Sequence, residues 1–117
     1  MKKILIVEDD FDILYLVQMT LKMNGYESEG ISNWQNIDSS IRSFLPKLIL
    51  MDVSLTGADG RNICKKIKGA PETKDIAVIL FSAHDNLAES IIDCKAQAFI
   101  EKPYQLSHLL ATVKKFL

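Results

Sequence analysis

Glu8, Asp9 and Asp10 directly follow an apolar run, Ile4-Leu5-Ile6-Val7, and Asp52 follows another, Leu48-Ile49-Leu50-Met51. Ser82 and Ala83 close a third run, Ala77–Phe81, and Glu101-Lys102-Pro103 follows a fourth, Ala98–Ile100. If the runs are neighbouring strands, these polar groups meet in one crevice, although they are distant in sequence. Glu8, Asp9 and Asp52 would then be three carboxylates in close company. Their mutual repulsion raises proton affinity, and a divalent cation removes it. Every ligand is a hard oxygen at an open, water-accessible edge, which suits Mg²⁺, or Mn²⁺, in an octahedron partly filled by water. Acids ahead of a helix also favour its dipole. That accounts for Asp9, Asp10 and Asp12 but not for Asp52, which ends a separate buried run.

Asp52 is the sharper clue. A carboxylate at the end of a rigid apolar strand is ionised at neutral pH. Beside a divalent cation it can attack phosphorus and form an acyl phosphate. The transferring phosphoryl group spreads charge over three equatorial oxygens. The metal, the Lys102 ammonium and the Ser82 hydroxyl could take one each, with the backbone N–H groups of Val53 and Ala83 as further donors. Pro103 restricts the backbone of Lys102 and so fixes where that side chain points.

The elements that must position these groups follow a repeating rhythm of short apolar run, polar turn and amphipathic segment. A weaker extended stretch, Tyr26–Ile31, adds a fifth strand to the four runs. Short unbroken apolar runs mark strands buried on both faces, as in parallel sheets. Helical spacing joins Phe11, Leu14, Tyr15, Gln18, Met19 and Leu21 up to Gly25, then Trp34, Ile37, Ile41 and Phe44 up to Pro46. It recurs at Ile63, Cys64 and Ile67 between Gly60 and Gly69, at Leu87, Ile91 and Cys94, and from Leu106 to Leu117. Five strands alternating with five helices predict an α/β fold with helices on both faces of the sheet. Ligands of such sheets bind outside the carboxyl ends of the strands, where the acids, Ser82 and Lys102 lie.

The composition excludes other classes. The 117 residues suit a single domain, are 48% hydrophobic and 25% charged, and have a mean hydropathy of +0.09. A net charge of −1 lacks the basic excess of a nucleic-acid binder. No apolar run approaches the roughly 20 residues of a membrane span. Glu8-Asp9-Asp10 interrupts the only stretch resembling a leader, so a cytoplasmic location is expected. Cys64 and Cys94 form no CxxC or Cys/His cluster and read as buried or half-buried thiols.

Taken together, Ile6-Val7-Glu8-Asp9-Asp10, Leu48-Ile49-Leu50-Met51-Asp52, Asp59-Gly60, Phe81-Ser82-Ala83 and Glu101-Lys102-Pro103-Tyr104 resemble a CheY-type receiver domain of two-component response regulators, over essentially residues 1–117. The resemblance implies a flavodoxin-like, doubly wound five-stranded parallel sheet of order 2-1-3-4-5. It implies a phosphorylation-activated switch rather than a conventional turnover enzyme. Asp52 would be the phospho-acceptor and a Mg²⁺ ligand, with Asp9 as the direct carboxylate ligand, Glu8 acting directly or through water, and the backbone carbonyl of Ser54 completing the protein ligands. Lys102 and Ser82 would bind the phosphoryl group, and Ser82 and Phe99 would be the switch pair. The donor would be a sensor histidine kinase or phosphotransfer protein. Output would pass through the surface of the fourth helix, fifth strand and fifth helix to a downstream protein, with a homodimer on phosphorylation left open. Neither nucleic acid nor membrane is an expected direct partner.

This sequence departs from the usual pattern at several places. Phe99 stands where many relatives carry Tyr. Thr56 and Ala77 replace frequent prolines, and Lys95-Ala96-Gln97 replaces a Gly-Ala turn. Ser54 and His84 occupy variable rim positions and are expected to set the lifetime of an acyl phosphate. His108, Lys65, Lys66, Lys68, Lys114 and Lys115 read as solvated helix faces. A haloacid-dehalogenase-type phosphatase would need an acid at Ser54, and a flavodoxin-like carrier would need a phosphate cradle where Glu8-Asp9-Asp10 stands. A passive receiver-like module and a receiver excised from a larger regulator are the remaining alternatives. If the chain is complete, its output must be a bound partner.

Overall fold

The apolar runs become β1 (Lys3–Val7), β3 (Leu48–Asp52), β6 (Ala77–Ser82) and β7 (Ala98–Glu101), and the polar stretch becomes β2 (Glu27–Ile31). This computed structural model describes residues 2–83 and 94–117. All five strands pair in parallel in the order β2-β1-β3-β6-β7, which is the expected 2-1-3-4-5 arrangement. The runs lack polar alternation because both faces are covered. Leu5, Val7, Ile49, Met51, Val78 and Leu80 face one core with Ile37, Ile41, Ile63 and Ile67. Ile4, Ile6, Leu48, Leu50, Ile79 and Ile100 face the other, with Leu14, Val17, Leu21, Leu109 and Val113. Each fully buried Ile or Leu of β1 and β3 contributes about 1.5–3 kcal/mol. Strands anchored this firmly hold the residues at their carboxyl ends in fixed positions.

Helices α1 (Phe11–Met23), α2 (Ile37–Phe44), α3 (Gly60–Gly69) and the C-terminal helix Leu106–Phe116 flank the sheet. These four α-helices are those among the described residues. The remaining expected helix, with Leu87 and Ile91, falls on residues 84–93, outside them, as does His84; Cys94 at its end is buried. Asp10 caps α1, accepting from the amides of Asp12 at 2.9 Å and Ile13 at 3.2 Å. The pattern from Trp34 begins as a 3₁₀ turn, Trp34–Asn36, before α2. Leu45 ends α2 in the left-handed region, at φ 56.

Two features lie beyond what periodicity conveys. After β3 the chain forms a small antiparallel hairpin, β4 (Ser54–Leu55) with β5 (Ala58–Asp59), turning at Thr56-Gly57. Lys68 is not simply a solvated lysine: its ammonium donates to the Ile76 carbonyl at 2.8 Å and the Gln97 side chain at 3.2 Å. Gln97 also accepts from the Val78 amide at 2.7 Å. Lys65, Lys66 and His108 are exposed as expected. Lys95, where a glycine turn is usual, adopts φ 63, a left-handed conformation that costs a non-glycine residue about 1–2 kcal/mol. Cys64 is buried with its Sγ 3.4 Å from the Cys94 carbonyl, and burial pushes its thiol pKa up.

Gly60 carries a more direct constraint. A Cβ there would lie 2.3 Å from the carbonyl oxygen of Asp52, and the Gly60 amide donates to the Val53 carbonyl at 2.7 Å. The start of α3 therefore folds back against the backbone of Asp52. Asp59 fixes that start by accepting from the Arg61 amide at 2.8 Å and pairing with its guanidinium at 2.6 Å. Arg61 in turn holds the Asp59 carboxyl below the usual carboxylate range. Gly60→Ala is expected to destabilise the protein by about 1–3 kcal/mol through overpacking, read as a lower urea midpoint.

Candidate functional site

The carboxyl ends of β1, β3, β6 and β7 bring Glu8, Asp52, Ser82 and Lys102 to one edge of the sheet. Asp52 is 6% exposed and Glu8 7% exposed. The Lys102 ammonium pairs with Oδ2 of Asp52 and lies 3.9 Å from Oε1 of Glu8. Oδ1 of Asp52 accepts from the Ser54 amide at 2.9 Å, an i to i+2 bond of the Asx-turn kind. Lys102 is held by its own backbone, whose amide donates to the Ser82 carbonyl at 2.8 Å, and its peptide bond to Pro103 is cis. Behind it, Tyr104 stacks on Phe81 with ring centroids 5.1 Å apart. Burial, then the charges of Glu8 and Asp52, push the Tyr104 hydroxyl above its ordinary pKa.

Glu8 bears the electrostatic cost of this crowding. Desolvation first, and the Asp52 charge second, raise its pKa from 4.5 to about 7, against a smaller opposing effect of Lys102. Ser82 is buried and Ala83 exposed. Phe99 is half-buried and packs against the core on the α2 and α3 side.

The three consecutive acids separate. Asp10 is the α1 cap, Glu8 enters the crevice, and Asp9 turns towards the hairpin. Oδ2 of Asp9 accepts from the Thr56 amide at 2.5 Å and its hydroxyl at 2.8 Å. The Val53 amide also departs from expectation: it donates to the Phe81 carbonyl at 2.9 Å as part of the sheet edge. The amide facing the Asp52 carboxylate is that of Ser54, whose side chain is exposed at the rim. Thr56 and the Ser54 amide are site features that sequence reasoning missed. The Asx-turn tendency of an aspartate two residues before Ser54 was the one signal available for the latter.

The donor set can be tested against Mg²⁺. Its side chains are all oxygen ligands, and two buried carboxylates, one with a raised pKa, carry a repulsion that a cation relieves. In the present arrangement, among the described residues, no group of three or more His, Cys, Asp or Glu side chains is disposed to hold a metal ion. The donor chemistry fits, while the Asp9 carboxylate is engaged by Thr56.

Comparison with known proteins places this architecture. The family described as the response regulator receiver domain matches residues 4–114, and the chain belongs to that family. It is 27% identical over 117 residues to the phosphate regulon transcriptional regulatory protein PhoB of Rhizobium meliloti, covering 98% of this chain and 52% of that protein. It is 29% identical to the DNA-binding dual master transcriptional regulator RpaA of Synechocystis, over 100% of this chain and 49% of that one. The chain thus spans about half the length of these curated relatives. Among solved structures, the signal receiver domain of a signal transduction histidine kinase from Syntrophus aciditrophicus is 30% identical, with a TM-score of 0.90 over 100% of this chain and 90% of that one. Chemotaxis protein CheY4 of Vibrio cholerae shares the fold with a TM-score of 0.91 at 22% identity, over 100% of this chain and 99% of that one. Among the described residues, no helix is long and apolar enough to cross a membrane.

Proposed function

We propose that Asp52 accepts a phosphoryl group from the phosphohistidine of a sensor kinase or phosphotransfer protein, in a reaction that requires Mg²⁺ or Mn²⁺. The observation that carries this reading is the surroundings of Asp52: a buried carboxylate at a strand end, paired with Lys102 and facing the Ser54 amide. An oxygen of Asp52 attacks phosphorus as the bond from phosphorus to the donor imidazole breaks. The electron pair returns to the imidazole nitrogen, and an acyl phosphate remains on Asp52. Lys102 passes from Asp52 to a phosphoryl oxygen, and the Ser82 hydroxyl and the amides of Ser54 and Ala83 receive the others. Glu8, Asp9, Asp52 and the Ser54 carbonyl would hold the cation, which supplies neutralisation of charge on the acids and the phosphoryl group. The chain promotes its own phosphorylation and hydrolysis and is not a conventional turnover enzyme.

Added charge at Asp52 draws Ser82 towards it and lets Phe99 move behind, biasing a two-state surface. Phe99 has no hydroxyl, so its contribution is packing alone. The affected surface includes β7 and the exposed side of the C-terminal helix, where a downstream protein binds. The donor meets the crevice from the α1 side, where Phe11, Tyr15, Leu16, Met19 and Met23 expose an apolar stripe, with Phe11 72% exposed. These events take place in the cytoplasm, and the direct partners are proteins rather than nucleic acid.

The test is to incubate the protein with Mg²⁺ and acetyl phosphate and measure intact mass. One phosphoryl adduct is expected, lost in Asp52→Asn and in chelator. A parent protein that gains no adduct from any donor, including phosphorylated kinases, would favour a passive interaction module.

A further inference from the structure

Asp9 is held in a specific alternative position. Both hydrogen bonds from Thr56 go to the same carboxylate oxygen, one from the backbone amide and one from the hydroxyl. Asp9 and Thr56 line a cleft of about 380 Å³ with Phe11, Asn33, Trp34 and Gln35, and neither Glu8 nor Asp52 borders it. The far side of Thr56 is tied as well, because the Trp34 indole N–H donates to its carbonyl at 2.9 Å. The hairpin tip is therefore braced between the β2-to-α2 connection and the acid that the crevice needs.

We propose that Thr56 is a positioning residue that competes with the cation for Asp9, so that metal binding requires Asp9 to leave Thr56. This rests on the Mg²⁺-dependent reading above and deepens it. A site whose competent arrangement is only a fraction of the population binds more weakly by that fraction. Thr56 therefore sets the metal affinity without contacting the metal, and Trp34 senses the change through the Thr56 carbonyl.

The turn allows a graded test. Gly57, at φ 81, supplies the positive φ that a type II turn needs at its third position, and the preceding position accepts proline. Thr56→Val removes the hydroxyl, Thr56→Pro removes the hydroxyl and the N–H, and Thr56→Ser keeps both. Mg²⁺ alone is titrated into each metal-free protein by calorimetry, with emission of the single tryptophan, Trp34, as a second signal. Thr56→Val is expected to bind Mg²⁺ about three- to tenfold more tightly, because the lost hydroxyl bond to Asp9 is solvent-exposed and counts as an ordinary hydrogen bond. Thr56→Pro should bind more tightly still, and Thr56→Ser like the parent. The Trp34 emission change on Mg²⁺ addition should shrink in the order parent, Val, Pro. Equal affinities in all four overturn the competition while leaving Mg²⁺ dependence intact. Weaker binding in Thr56→Val overturns it in favour of a supporting role. No binding in any protein overturns the metal reading and the competition together. Thermal unfolding without metal checks each variant, and if Thr56→Pro does not fold, the Val and Ser pair decides.

Discussion

Lys102→Ala is expected to slow acetyl-phosphate-driven modification of Asp52 by about 10²–10³-fold, the usual effect of removing one preorganised donor from a transferring group. The side chain is 28% exposed and spans two buried carboxylates, pairing with Asp52 and standing 3.9 Å from Glu8. Its loss leaves negative charge that must then face an incoming, negatively charged phosphoryl group. The measurement is the time course of the mass adduct at saturating Mg²⁺; a loss below threefold would remove Lys102 from the reacting group. The same substitution destabilises the metal-free protein at pH 8 by about 1–3 kcal/mol, less than the 3–5 kcal/mol of a fully buried pair. Lys102 reaches solvent, and Glu8 can take up a proton. Lys102→Arg keeps the charge but recovers only part of the rate, because a planar fork does not replace a compact ammonium.

Glu8→Gln is expected to have opposite effects with and without metal. The folded pKa of Glu8 is about 7 against an ordinary 4.5, with burial the main cause and the Asp52 charge the next. The folded protein thus keeps a proton that the unfolded chain releases. The stability this group contributes is complete below about pH 4.5 and is lost as pH rises to about 7. Glutamine stays neutral throughout. In chelator the variant should match the parent near pH 4.5 and exceed it at pH 8 by roughly 1–2 kcal/mol, after allowance for solvent screening. Urea unfolding at pH 4.5, 6 and 8 measures the difference. Added Mg²⁺ at pH 8 should stabilise the parent more than the variant, since it binds the carboxylate form. A gap that does not change with pH would show that Glu8 is not the group titrating.

The same residues show how far a linear sequence reports a site. Asp52 and Lys102 were legible because a charged residue ending an apolar run is locally conspicuous, and burial on both faces gives such runs an unbroken pattern. Strand order followed from the resemblance, and the meeting of these residues at one edge from their places at the carboxyl ends of parallel strands; both hold in the structure. The fates of Glu8, Asp9 and Asp10 were not legible. Their side chains leave the chain in different directions where a strand turns into a helix, so one enters the crevice, one meets Thr56 and one caps α1.

The backbone donors make the same distinction. Val53 and Ser54 are adjacent, but β6 lies beside β3 and takes the Val53 amide through the Phe81 carbonyl, leaving Ser54 to face Asp52. Gly60 is another case, because its lack of a Cβ matters only where α3 returns over the Asp52 carbonyl. The sequence by itself determined the five sheet strands, the four α-helices among the described residues, the two cores and the chemical types gathered at the strand ends, since these depend on burial and on neighbours a few residues apart. Only the tertiary structure decided which oxygen or amide meets which partner. That choice depends on where distant segments return, and a shift of one residue changes the direction in which a group points.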